Sequence, residues 1–168
     1  SIIIPDSVTG IGSGAFSYCE SLKSVTIGRS VTDIGYYVFN GCTALESIII
    51  PDSVTWIGDG AFSNCASLKS VTITGGKILY GAFSNCSGLT SITIPDGITS
   101  IASRAFYNCT GLTSVTIPNS VTSIGLESFY NCTSLTRVNT TDMVAWCNIT
   151  FSSNSDNPLY YAKNLYWN

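Results

Sequence analysis

The chain has 168 residues, of which 45% are hydrophobic and only 10% are Asp, Glu, Lys or Arg. Ten acidic and seven basic side chains give a formal charge of −3. This argues against a nucleic-acid partner, because such surfaces are dominated by clustered Lys and Arg. The absence of histidine excludes Ser-His-Asp and Cys-His catalysis. No apolar run approaches the roughly 20 residues of a transmembrane helix.

One unit recurs six times along the chain. Phenylalanine returns at intervals of 23, 23, 21, 23 and 23 residues, with cysteine three residues later and leucine three residues after that. Because stacked copies would bury these side chains, we expect them to form the core. The predicted core residues are Phe16, Phe39, Phe62, Phe83, Phe106, Phe129, Cys19, Cys42, Cys65, Cys86, Cys109, Cys132, Leu22, Leu45, Leu68, Leu89, Leu112 and Leu135.

Within each unit the predicted elements come in the same order. The first is a strand in which Ser or Thr alternates with apolar residues, as in 114–117, and it ends at a proline such as Pro118. A second β-branched segment follows, as in 120–124, and ends at Gly125. The spacing of Phe, Cys and Leu then predicts a helical or 3-10 turn with one edge facing inward.

A unit with two short strands cannot bury its apolar edge alone. Stacking the units about 4.8 Å apart pairs each strand with its neighbour and closes a continuous core. The sequence therefore predicts a mainly β fold, a solenoid with two parallel sheets. The fourth unit is two residues short, and its Gly75-Gly76 pair predicts a tightened turn and a local irregularity.

The unit Leu-x-x-Val/Ile-x-Ile-Pro-x-x-Val-Thr-x-Ile-Gly-x-x-Ala-Phe-x-x-Cys resembles the BspA-like leucine-rich repeats of bacterial surface proteins. The resemblance covers about residues 1–139. The proline of the unit is present at Pro5, Pro51, Pro95 and Pro118, and Gly28 and Thr74 replace it elsewhere. The resemblance implies a right-handed solenoid with the first strands on the concave side and the second strands on the convex side. It also implies an extracellular or cell-surface protein with adhesive functions.

Residues 140–168 break the period and resemble a helical interruption within such arrays. Thr141 or Asp142 can cap one short helix, and Asn157 followed by Pro158 is typical of a second helix start. The segment 164–167 resembles the start of a further first strand. We therefore expect a solenoid at 1–139, a helical interruption at 140–168, and an array truncated at both ends.

The seven cysteines predict free thiols. No Cys-x-x-Cys pair occurs, and cysteines one coil apart point in parallel, which suits neither a tetrahedral metal site nor a disulfide. We expect no metal and no cofactor. Cys147 lies outside the repeat, and its reactivity is left open.

Two sets of side chains are candidates for binding. One is the outward column of the first strands, which is a polypeptide- or glycan-binding surface or simply a row of solvated strand residues: Ile3, Thr26, Ile49, Thr72, Thr93 and Thr116. The other set consists of aromatic residues at repeat positions that vary, and these either anchor a partner or cover apolar seams. They are Trp56, whose ring we expect to face water, and Tyr36, Tyr37, Tyr80, Tyr107 and Tyr130.

These observations favour a non-catalytic adhesion module that presents a repeat-built surface to host or microbial glycoproteins or to matrix proteins. The alternative is a structural spacer within a larger exported protein, with no ligand of its own. An enzyme is disfavoured because histidine, a Gly-rich phosphate loop and a converging acid pair are missing. The expected partner is a protein or glycoprotein, and the oligomeric state is left open.

Overall fold

The computed structural model describes residues 1–74, 78 and 80–167. Parallel strands stack coil upon coil around one apolar core, so the predicted mainly β solenoid is confirmed. The coils are numbered here by their phenylalanine, from coil 1 with Phe16 to coil 6 with Phe129. The tightened turn predicted at Gly75-Gly76 lies outside the described residues.

The first strands of the coils form one side of the solenoid, called here the front face. In β7 the Ser and Thr side chains point to solvent and the Val and Ile side chains point into the core, and β5 has the same alternation with Ile49 on the solvent side. Within the described residues these strands form hydrogen-bonded groups of two, two and four. They are β1 Ile2–Ile3, β3 Val25–Thr26, β5 Ser47–Ile50, β7 Ser70–Ile73, β8 Ser91–Thr93, β10 Ser114–Ile117, β12 Arg137–Thr140 and β14 Leu165–Trp167.

The second strands form the opposite side, called here the back face. Each is only two residues long, because the chain turns again immediately, and its second residue is a buried isoleucine or, in β13, the partly buried Phe151. Ile78 bridges Ile57 and Ile101 and so links the two back sheets. The back strands are β2 Gly10–Ile11, β4 Asp33–Ile34, β6 Trp56–Ile57, β9 Ser100–Ile101, β11 Ser123–Ile124 and β13 Thr150–Phe151.

The segment between each back strand and the next front strand, called here the turn face, has two residues with positive φ. One precedes phenylalanine by two residues and the other follows it by two. The first set is Gly14, Tyr37, Gly60, Gly81, Arg104 and Glu127, and the second is Tyr18, Gly41, Asn64, Asn85, Asn108 and Asn131. A helix cannot continue through these left-handed residues, so the expected helical or 3-10 turn is present only as single turns with i→i+3 hydrogen bonds.

Backbone hydrogen bonds join each turn to the next coil at these same residues. In coil 3, the N–H groups of Gly60, Phe62 and Asn64 donate to carbonyls of coil 4 at 2.8–2.9 Å. The equivalent bonds repeat in coils 1, 2, 4 and 5. The left-handed geometry aims these N–H groups along the solenoid axis, which is why the turn can form a ladder without being a strand.

The phenylalanine rings form one column through the core. Neighbouring centroids are 5.3–5.7 Å apart with interplanar angles of 5–19°, which is offset stacking. The rings of coils 2 to 6 have no exposed surface. In coil 1, which has a neighbouring coil on one side only in this chain, Phe16 and Leu22 are half-buried and Cys19 is exposed, so the prediction that Cys19 is a core residue is wrong.

The cysteines of coils 2 to 6 are buried beside this column. Each places its Sγ 3.2 Å from the carbonyl oxygen of the phenylalanine in the preceding coil, as Cys65 does with Phe39. A thiol is small and apolar, so it fills this space, and it is also a weak donor to the phenylalanine carbonyl. An alanine at the same position would leave that carbonyl with one partner fewer. All seven thiols are free.

The last segment contains helix α1 at Met143–Cys147, a 3-10 turn at Asn154–Asp156 and helix α2 at Leu159–Ala162. Asp142 caps α1 by accepting from the N–H groups of Val144 and Ala145. Strands β13 and β14 pair with β11 and β12, so this segment follows both faces of the solenoid.

Two side chains of this segment replace the backbone of a further coil. Asp156 is fully buried, and its Oδ1 accepts from the N–H of Glu127 at 2.6 Å. The hydroxyl of Tyr161 accepts from the N–H of Asn131 at 2.9 Å. These are the two left-handed N–H groups that a regular next coil would satisfy, so the segment closes the turn face of coil 6.

We expect Phe83→Ala to destabilise the protein by about 3–5 kcal/mol, because it removes a ring from the middle of the column and leaves a cavity. Thr93→Ala on the solvent side of β8 serves as the control and should cost less than half as much. Thermal and urea unfolding measure both. Equal losses of stability in the two variants would contradict the burial of the phenylalanine column.

We expect alkylation of the folded protein to modify Cys19 and Cys147, the two exposed thiols, and to spare the five buried ones. Under denaturing conditions all seven thiols should react, as read by intact mass. An intact mass that is reproducibly lower by two hydrogen atoms per cysteine pair would instead reveal disulfides.

We also expect stability to fall as the solution becomes alkaline. Burial raises the pKa of Cys42 to about 11 and those of Cys65 and Cys132 to about 12, from an ordinary value of 9.0. The folded state therefore keeps protons that the unfolded state loses, so the stabilisation is complete below pH 9 and declines toward pH 11–12. Urea unfolding across this range measures the decline, and Cys65→Ala should make it shallower.

Candidate functional site

A groove of about 440 Å³ opens on the turn face and is lined by residues of coils 1 to 5. It brings together three of the aromatic residues predicted to bind, Tyr37, Tyr80 and Tyr107. The groove has a floor of small polar residues and a wall of aromatic side chains at each end. We call it the tyrosine groove.

The floor is supplied by coils 3 and 4, where the repeat positions carry their smallest side chains. Gly60 and Gly81 occupy the first left-handed position, and Ser63 and Ser84 follow the phenylalanine. A Cβ atom added to Gly81 would meet only Ser84, with Oγ at 3.6 Å, so the space above this glycine is open. The depth of the groove thus comes from missing side chains rather than from a bend in the backbone.

The first wall consists of Tyr18 and Tyr37, whose rings lie across glycines of the next coil. A Cβ atom on Gly41 would come within 2.7 Å of Tyr18 Cδ1, and one on Gly60 within 2.6 Å of Tyr37 Cδ1. No side chain could occupy these positions without displacing the rings. Tyr37 is nevertheless 52% exposed, so one side of its ring is available to a ligand.

The second wall is organised by Arg104. Its Nε donates to Glu127 Oε2 at 2.7 Å and its Nη1 donates to the hydroxyl of Tyr80 at 2.9 Å. The guanidinium carbon lies 5.5 Å from the ring centroid of Tyr107, and that ring stacks on Tyr130 at 5.3 Å. The hydrogen bond with Glu127, followed by that with Tyr80, raises the pKa of Arg104 above its ordinary value.

A row of asparagine side chains runs along the floor and continues beyond it. Four of the five Nδ2 groups donate to the Oδ1 of the asparagine in the preceding coil, at distances of 2.6–3.0 Å. The row consists of Asn40, Asn64, Asn85, Asn108 and Asn131. We call it the asparagine ladder. Each internal amide uses one N–H and one acceptor site in the row, which leaves a second N–H and a second acceptor site on each.

Three of the groove residues hold strained backbone conformations. Tyr18, Tyr37 and Arg104 have φ of 54–59° at positions where other coils have glycine or asparagine. Left-handed residues other than glycine and asparagine cost roughly 1–2 kcal/mol each. Because glycine satisfies the same positions elsewhere in the array, the fold itself does not require these large side chains.

The remaining aromatic candidates lie outside the groove. Tyr36 is exposed and contacts Trp56 edge to face, with ring centroids 5.1 Å apart. Trp56 is half-buried with the Tyr36 ring against it, so its ring faces water only in part and not fully as expected. Tyr130 is exposed and supports the second wall only through its stacking on Tyr107.

The predicted front column is in register within each hydrogen-bonded group of front strands, where Ile3 pairs with Thr26, Ile49 with Thr72 and Thr93 with Thr116. Ile3 is 75% exposed and Ile49 is 66% exposed, while Thr116 is half-buried and hydrogen-bonded by Asn139. The other members are exposed: Thr26, Thr72 and Thr93. Depressions of about 350 and 400 Å³ lie where β3 meets β5 and where β7 meets β8, the two breaks between front sheets.

Sequence reasoning missed Tyr18, Arg104 and the asparagine ladder as parts of one site. A signal was present for the first two, since Arg104 takes the position of Gly60 and Gly81, and Tyr18 takes the position of Asn64. Over the described parts of the chain, no three metal-ligating side chains converge and no helix is long and apolar enough to cross a bilayer.

Solved structures similar to this chain are bacterial leucine-rich-repeat proteins. A leucine-rich repeat protein from Eubacterium ventriosum is 35% identical with a TM-score of 0.77, over 80% of this chain and 37% of that one. The T. pallidum leucine-rich repeat protein is 29% identical with a TM-score of 0.75, over 81% and 67%. A leucine-rich cell surface protein from Faecalibacterium prausnitzii is 27% identical with a TM-score of 0.58, over 91% and 63%.

The chain thus spans little more than a third of the Eubacterium ventriosum protein. No functionally curated protein matches it. The model of the BspA type leucine rich repeat region matches residues 1–78 and 76–157, in six copies. On this match, together with the coil geometry above, the chain belongs to the family of BspA-type leucine-rich-repeat proteins.

Proposed function

We propose that the chain is a non-catalytic binding module of a bacterial surface protein and that it holds its ligand in the tyrosine groove. The single observation that carries the proposal is the strain at Tyr18, Tyr37 and Arg104. Strained residues that the fold does not need are typical of functional sites. These three line one groove of about 440 Å³, within the usual 300–1,000 Å³ of ligand sites, and the fourth such residue of the turn face, Glu127, holds Arg104 in place.

Family membership supports an interaction role in general, since leucine-rich repeats form extended surfaces for partners. A surface location is supported by the Faecalibacterium prausnitzii relative, which is described as a cell surface protein. The ligand we expect is a protein or glycoprotein of the host, of neighbouring microbes or of the matrix. A spacer role predicts no ligand at all, and so the two are separated by a binding experiment.

The front face is the competing surface for this role. Its exposed Ile3 and Ile49 are separated by a full coil and lie in different hydrogen-bonded groups of strands. The tyrosine groove instead combines aromatic walls with asparagine amides that each keep an N–H and an acceptor site for a ligand. We therefore place the binding role on the turn face.

We expect Tyr37→Gly to weaken ligand binding about tenfold or more while leaving the melting temperature nearly unchanged. The substitution removes a wall of the groove, but it also restores the glycine that coils 1, 3 and 4 have at this left-handed position. Solid-phase binding to arrays of glycans, glycoproteins and matrix proteins, with a parallel thermal melt, measures both effects.

The matched control is Ile49→Thr, which gives the front face the residue that neighbouring coils already carry there. Loss of binding in Ile49→Thr but not in Tyr37→Gly would move the site to the front face. A chain that binds nothing on the arrays would be a spacer.

A further inference from the structure

We infer that the ligand of the tyrosine groove is a neutral oligosaccharide, held by stacking on tyrosine rings and by hydrogen bonds to the asparagine ladder. The inference rests on the proposed function and names its ligand class. It follows from the chemical groups that line the groove and from those that its described lining lacks.

The described floor of the groove has no free backbone edge. The N–H groups of Gly60 and Asn64 donate to coil 4, and those of Gly81 and Asn85 donate to coil 5, at 2.8–3.0 Å. An extended peptide binds by strand addition only where backbone groups are free to pair. The floor therefore recognises its ligand through side chains.

The described lining of the groove also carries little charge. Arg104 is the charged residue among the described lining residues, and its guanidinium is engaged by Glu127 and by the Tyr80 hydroxyl. Recognition of a carboxylate, sulfate or phosphate draws on arginine donors aimed at the ligand. The carboxylate of Glu127 offsets the charge of Arg104, and two of the five guanidinium N–H groups are aimed at protein acceptors, so the groove favours a ligand without net charge.

A third feature missing from the groove is an apolar socket. Its floor consists of glycine, serine and asparagine, whereas protein hot spots insert an aromatic or aliphatic side chain into a desolvated apolar pocket. The apolar surface available is instead the flat rings of Tyr18, Tyr37 and Tyr107 at the sides.

What remains is a flat ligand with apolar faces and edges that both donate and accept hydrogen bonds. A sugar ring has this form, because its C–H groups cover the faces and its hydroxyls surround the rim. Each amide of Asn64 and Asn85 keeps one N–H and one acceptor site after pairing within the ladder, which matches the two roles of a hydroxyl.

The repeat distance supports a chain rather than a single sugar. Stacked coils present equivalent amides about every 4.8 Å. Successive rings of an extended oligosaccharide advance by a similar step, so neighbouring sugars can make the same contact with successive coils. The open space above Gly81 lies between the two aromatic walls, where the central sugar would sit.

The experiment uses the whole chain on an array of neutral oligosaccharides, their sialylated counterparts, and deglycosylated matrix and plasma proteins. The blocking variant is Gly81→Asn, which places a side chain in the open space at a φ of 60° that asparagine adopts at Asn64 and Asn85. The matched control is Gly14→Asn, at the same repeat position with φ of 69°, open space around it and no part in lining the groove.

We expect binding to neutral oligosaccharides that periodate oxidation of the sugars abolishes. Gly81→Asn should weaken it about tenfold or more, and Gly14→Asn by less than about twofold. Equal losses in both variants would place the ligand elsewhere and overturn the inference.

The other outcomes separate the two proposals. Binding confined to deglycosylated proteins and reduced by Gly81→Asn would overturn the oligosaccharide inference and leave the groove as a binding site. Binding confined to sialylated sugars would overturn the inference that the ligand is neutral. Binding to nothing on the array would overturn both the ligand class and the proposed function.

Discussion

The structure depends on the hydrogen bonds that join each turn to the next coil through left-handed residues. Two residues per coil, on either side of the phenylalanine, direct their N–H groups along the solenoid axis. This arrangement holds successive phenylalanines within stacking distance and keeps the turn face in register with both sheets. Asp156 and Tyr161 show how strict the requirement is, since their side chains accept the same two bonds where the regular coil gives way to helices.

The periodic core could be predicted from the sequence because burial selects residue types. Phenylalanine, cysteine and leucine recur where the coil points inward, and Ser or Thr alternates with Val or Ile where a strand has one face in water. The left-handed positions escaped prediction because backbone conformation does not select one side-chain class. Gly14, Tyr37 and Glu127 share a φ near 60° and little else.

The candidate site was accessible to sequence reasoning only in part. Tyr37, Tyr80 and Tyr107 stand out because each departs from a small residue in other coils. The groove between them, however, depends on the missing side chain at Gly81, and a glycine in a single sequence does not reveal the open space above it. Trp56 shows the opposite error, since a large residue at a variable position packs against its neighbour Tyr36 and does not add to the groove.

The asparagine ladder gives the turn face a direction. The Nδ2 groups of Asn64, Asn85, Asn108 and Asn131 each donate toward the preceding coil, so these amide dipoles align head to tail. Aligned hydrogen-bonded groups polarise one another, and the row therefore has a donor end and an acceptor end. A polymer lying along it would meet different partners in its two orientations, and the protein would distinguish the head of such a polymer from its tail.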